Sequence, residues 1–149
     1  MEHAVAAPHG SDLTRLAVRA TAHCLTGCAI GEVLGLAIAT ALGWADVPSI
    51  ALAIALAFLF GYSLTMLPLL RSGMALAAAL PIAFAADTIS IAVMEIVDNA
   101  FIVLYPGAMD AGLGDLLFWG ALAVALAIAF LVTVPVNRWM IGRGKGQAV

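Results

Sequence analysis

Nine side chains with ligand or acid chemistry lie inside the apolar runs of this chain: His23, Cys24, Cys28, Glu32, Met66, Asp87, Met94, Glu95 and Asp98. Thiolate, thioether and imidazole favour Cu(I) or Zn(II), and carboxylates suit harder ions such as Mn(II) or Fe(II). Their spacing is ordered. Cys24, Cys28 and Glu32 recur every four residues, and Gly27, Gly31 and Gly35 form an interleaved row of the same period. Asp87, Glu95 and Asp98 follow at steps of eight and three, which at roughly 100° per residue gathers them within about a third of a helix circumference.

A charged group at the centre of a bilayer costs about 2.5–3.5 kcal/mol even on a lenient insertion scale. Four such acids cost on the order of 10 kcal/mol, comparable to the net stability of a whole protein. No Lys or Arg lies within the apolar runs to neutralise them. The acids are therefore protonated, hydrated in a cavity or bound to a cation. Thr26, Thr88, Ser90 and Asn99 are candidate hydrogen-bond partners for neutral acids. The glycine row is expected to admit a second helix closely, as small residues at this period do in membranes. The sharpest expectation is a close contact between the first and third helices, with Cys28 and Glu32 facing Asp87, Met94, Glu95 and Asp98.

Other chemistries have less support. The zinc-protease pattern, phosphate-binding loops and the nucleophile elbow are absent, so the chain leans away from being an enzyme. His23 is the only histidine in an apolar run, which excludes bis-histidine haem ligation within one chain. A copper or nickel site is open to Met1-Glu2-His3 through the terminal amine and imidazole, although any tail can carry a His there. Nucleic acid is not an expected partner, since the short basic tail suits anionic lipid better.

The elements that must position these residues are long apolar helices. The chain has 149 residues, 64% hydrophobic and 10% charged, with mean hydropathy +1.12. Soluble domains are nearer 45–50% apolar and about 25% charged. The composition implies an all-α, multi-pass membrane protein whose main partner is the lipid bilayer. Residues 1–12 read as a polar tail, with Ser11 or Asp12 capping a helix from Leu13. Residues 13–143 read as one domain of four transmembrane helices, with spans near 20–42, 49–70, 79–104 and 116–136, and residues 144–149 as a second tail. Pro81 either begins the third span or kinks it.

All six Lys and Arg fall on one side of that path: Arg15, Arg19, Arg71, Arg138, Arg143 and Lys145. The opposite loops carry only Asp46, Asp110 and Asp115. The positive-inside rule then places both termini in the cytoplasm. Trp44, Tyr105 and Trp119 fall at the outer interface and Trp139 at the inner one. A faint duplication is also visible. Pro68-x-x-Arg71 and Pro135-x-x-Arg138 close the second and fourth helices, and Glu32 and Glu95 sit mid-helix in the first and third.

At HCLTGCAIGEVLG, ADTISIAVMEIVDNA and PGAMDAGL with FWG, and at PVNRW near the end, the chain resembles a bacterial membrane family, domain of unknown function 4396. The likeness runs over about Thr21 to Arg143. It implies a small polytopic inner-membrane protein and no settled activity. Some relatives look to be labelled in connection with copper. Three readings follow for the residues themselves. The first is binding or transport of a metal cation, copper foremost, with zinc as the other transition-metal candidate. In it, His23, Cys24, Cys28 and Met66 form an inner soft site, Glu32, Met94 and Glu95 a middle group, and Glu32, Asp87, Glu95 and Asp98 a carboxylate path. The second is a structural or assembly subunit with protonated, packed acids. The third is a membrane redox protein using the cysteine pair. The glycine row also makes a homo-oligomer an expected state.

Overall fold

The computed structural model describes residues 10–108 and 110–142, apart from the side chain of residue 86. The amino-terminal copper motif and the last residues of the basic tail lie outside the described residues. Four helices follow in order: α1 (Gly10–Leu42), α2 (Asp46–Arg71), α3 (Leu76–Leu104) and α4 (Leu116–Gly142). There are no strands among the described residues. Three of the helices are long and apolar enough to cross a membrane, and α3 makes a fourth if its two bent halves count as one span.

The first helix starts earlier than the sequence suggested. Gly10–Asp12 form the first turn of α1 rather than a tail, so Ser11 and Asp12 are inside the helix. With 33 residues, α1 is about 50 Å long at 1.5 Å per residue, well beyond a hydrocarbon core of about 30 Å. It ends on Gly43, whose φ of 67° allows Trp44 N–H to reach Ala39 O at 2.9 Å. Gly73 does the same after α2, with φ 94° and Met74 N–H on Leu69 O at 3.2 Å. Both are left-handed helix stops that L residues with a Cβ adopt at a cost.

Pro81 lies inside α3 and does not begin it. The helix bends by 45° between Leu76–Ala85 and Asp87–Leu104. At that bend the Thr88 hydroxyl donates to Phe84 O at 2.6 Å, a back-bond of the kind that bends helices.

The helices form a ring in which α1 packs on α2, α2 on α3, α3 on α4 and α4 on α1, while α1 and α3 also touch across the centre. The most extensive contact joins α1 to α2, not α1 to α3. Gly27 lies against Gly61, Gly31 against Ala57 and Gly35 against Ala53. This register runs up one helix and down the other, so α1 and α2 are antiparallel. A Cβ on Gly27 would stand 2.8 Å from the Gly61 Cα, and one on Gly35 2.6 Å from the Ala53 Cα. On its other side Gly61 meets the Ile91 side chain of α3. The glycine row is thus consumed within the chain.

The outward surface is apolar. Leu59, Phe84, Ile96, Val103 and Leu131 are all more than half exposed, as lipid-facing positions would be. Arg15, Arg19, Arg71 and Arg138 gather at one end of the ring, and Asp46, Asp110 and Asp115 at the other. Gly31→Leu should drive α2 away from α1 and destabilise the fold by about 3 kcal/mol or more. Gly120, which has open space around it, should accept alanine without loss, and thermal unfolding in detergent reads both.

Candidate functional site

The rotation of α1 that buries its glycine row against α2 turns the neighbouring row, one residue on, toward the centre. Cys24, Cys28 and Glu32 are all buried there. Across from them α3 presents Asp87, Glu95 and Asp98, exposed by 0%, 4% and 2%. The two rows meet as three rungs. The Cys24 thiol lies 4.0 Å from Asp87 Oδ1. Cys28 stands beside Glu95, within electrostatic reach of its carboxyl. The carboxyls of Glu32 and Asp98 meet within hydrogen-bonding range. The rungs ascend together along both chains, so α1 and α3 are parallel.

The surrounding partners are few. Thr65 of α2 donates to the Asp87 carboxyl. Asn99 Nδ2 donates to Glu95 Oε2 at 3.2 Å and to Glu95 O at 2.9 Å. Among the described residues, Glu32 Oε1 and Oε2, Glu95 Oε1 and Asp98 Oδ1 meet no N–H or hydroxyl donor. Two carboxyls that touch can bond only if one holds a proton or a cation lies between them. Buried polar atoms are normally satisfied, so this concentration of exceptions calls for an explanation.

The other candidate residues are distributed unevenly. Met94 is fully buried in one cluster with Cys24, Cys28, Ile91, Ala57 and Ala129. His23 is exposed, although within electrostatic reach of Asp87. Met66 is half-buried and lines a separate apolar groove with Tyr62, Pro81 and Phe84. The inner soft group therefore does not assemble with its full membership. Among the described residues, no three His, Cys, Asp or Glu side chains converge in a way that would hold one ion. Of the hydroxyls and amides considered as partners for the acids, only Asn99 serves. Thr26 bonds Ala22 O, Thr88 pairs with Tyr62 at 2.6 Å, and Ser90 turns elsewhere. Thr65, which does serve, gave no signal in sequence beyond being a hydroxyl one turn from Gly61.

Ser90 belongs to a second polar node nearer the basic end. Its hydroxyl donates to Asn137 Oδ1 of α4, and Asn137 Nδ2 donates to Thr21 Oγ1 of α1 at 2.8 Å. Thr21 in turn donates to Ala17 O at 2.7 Å. All three residues are at most 2% exposed. The node ties α1, α3 and α4 together without any acid, with Ser90 between the Asp87 and Glu95 rungs, so it is a positioning device for the ladder.

The class is that of an all-helical bundle with acids and thiols turned inward, whose helices are long and apolar enough to be consistent with a membrane protein. The family follows from the sequence, since the profile of the family described as Domain of unknown function (DUF4396) matches residues 15–146. The chain belongs to that family. No curated protein and no solved structure matches it.

Asn137→Ala should cost about 1–3 kcal/mol. Two interhelical bonds at about 0.6 kcal/mol each set the floor, and a stranded buried Ser90 hydroxyl raises it. Asn137→Asp should recover part of the loss at low pH, where a neutral acid can still donate. Equilibrium unfolding of the detergent-purified protein measures both.

Proposed function

We propose that the chain is a bacterial inner-membrane protein with four spans and both termini in the cytoplasm, which binds and moves a metal cation along the α1–α3 axis. The observation that carries this reading is the pairing, rung by rung, of Cys24, Cys28 and Glu32 with Asp87, Glu95 and Asp98. No Lys or Arg lies within these rows. A line of acids held out of water is expensive unless a cation or proton offsets it.

Copper is the first choice of ion. Cys24, Cys28 and Met94 share one buried cluster, and thiolate with thioether favours Cu(I) over harder ions. Thiols must lose a proton to ligate a metal. The adjacent carboxyls are placed to receive it: Asp87 beside Cys24 and Glu95 beside Cys28. Binding of the ion would thus move protons along the same axis. Cu(I) needs few ligands, so the lack of a three-residue His, Cys, Asp or Glu group does not remove it.

That same lack of convergence favours a second reading, a structural or assembly subunit. One shared proton then satisfies Glu32 and Asp98, and the axis is a packing seam.

Titration of the purified protein with Cu(I) against a competing chelator separates the two. The cation reading expects stoichiometric uptake that weakens at least about tenfold in Cys24→Ser/Cys28→Ser. A wild-type chain that takes up no Cu(I), together with Glu32→Gln and Glu95→Gln chains of unchanged stability, overturns it in favour of the packed subunit.

A further inference from the structure

At the basic end of the ring the first turns of α1 and the last turns of α4 do not close fully on each other. An open groove of about 520 Å³ lies between them. Leu13 of α1 and Val134 and Pro135 of α4 form its apolar wall, and Arg138 and Trp139 stand one turn further out along α4. Behind that wall Ala17, Ala20 and Ile141 pack into a buried cluster. Arg138 and Trp139 are exposed. The Arg138 Nη2 lies 3.8 Å from where a Cβ on Gly10 would stand, over the first turn of α1. The peptide dipoles of that turn are positive too. Among the described residues no acid pairs with this guanidinium, Asp12 of the same turn included. The Thr14 hydroxyl is spent on Gly10 O at 3.0 Å, so Arg138 carries the polar chemistry of the groove. Thr14 precedes Ala20, where the first apolar run begins, by six residues. That is about 9 Å along the helix, which is headgroup depth in a bilayer.

We propose that this groove seats one anionic phospholipid, its phosphate on Arg138 and the upper part of an acyl chain along Leu13, Val134 and Pro135. Basic pockets between helices on the cytoplasmic side bind acidic headgroups. A guanidinium meets two phosphate oxygens at once, which a single ammonium does not. The apolar wall beside the charge selects a lipid over free phosphate, which has nothing to lay against Val134 and Pro135. Trp139 offers the apolar body and polar edge that suit the headgroup level. Arg143 and Lys145 follow α4 in the sequence and add to the attraction for an anionic leaflet. A lipid held there bridges the ends of α1 and α4 beyond the Ser90–Asn137–Thr21 node. This inference goes beyond the cation reading and rests only on its membrane placement.

The purified full-length chain is unfolded by heat in neutral detergent with phosphatidylglycerol, with phosphatidylcholine or with inorganic phosphate. Only phosphatidylglycerol should raise the midpoint saturably. Half-saturation should need about fivefold more of it in Arg138→Gln. It should be unchanged in Arg71→Gln, at the same end but outside the groove. The second readout is quenching of Trp139 by phosphatidylglycerol brominated on its acyl chains, in a Trp44→Phe/Trp119→Phe chain. It should exceed quenching by brominated phosphatidylcholine and fall to that level when Arg138→Gln is added. Equal effects of the two lipids, a shift reproduced by inorganic phosphate, or affinity undiminished in Arg138→Gln overturns the proposal. Retention of the chain in membranes washed with alkaline carbonate reads the spans by themselves, so failure of the groove is distinguishable from failure of the membrane placement.

Discussion

The backbone contact between α1 and α2 is the constraint on which the rest of the molecule depends. Gly27, Gly31 and Gly35 can be covered only by another helix brought almost to touching distance, and Gly61, Ala57 and Ala53 provide it. That contact fixes the rotation of α1 about its own axis. Once the glycine row is committed to α2, the row one residue away has only the centre of the ring to face. Cys24, Cys28 and Glu32 are delivered to α3 by packing rather than by attraction to its acids. The Ser90–Asn137–Thr21 node then holds α4 and α3 to α1 at the basic end, fixing the height at which the rungs meet.

What the packing delivers is electrostatically demanding. Small residues let helices approach, but they supply no counter-charge to a buried acid. Each rung has solved this differently. Asp87 has the Thr65 hydroxyl and the Cys24 thiol beside it. Glu95 has Cys28 and Asn99. Glu32 and Asp98 have chiefly each other. The rungs thus run from donor-rich to donor-poor along the axis.

Much of this was legible in the sequence. Two interleaved rows of period four on one helix can face only two directions, so Cys24, Cys28 and Glu32 had to act together. The one-sided placement of Arg and Lys separated the two ends of the bundle. The partner of the glycine row was not legible, because small residues say that a helix comes close and not which helix. Asn137 was missed because its partner Thr21 is 116 residues away, and a lone Asn near a helix end carries no local signal. Met66 was placed with the thiols by depth alone. Depth fixes height but not azimuth, and its azimuth takes it to an apolar groove beside Tyr62 and Phe84. The α3 bend was half legible, since a kink was one of the two readings that Pro81 offered.

The central claim is that Glu32 of α1 and Asp98 of α3 face each other inside a single chain. Cross-linking of Glu32→Cys/Asp98→Cys with a short bifunctional thiol reagent, with the bond assigned by peptide mass spectrometry, tests it directly, because side chains that meet through their carboxyl ends hold their Cβ atoms farther apart than the roughly 4.5 Å a direct disulfide allows. The account predicts an intrachain bond between positions 32 and 98, and none in Val33→Cys/Asp98→Cys, where the thiol is turned about 100° away. A bond from position 33 but not 32, or bonds only between chains, would contradict it.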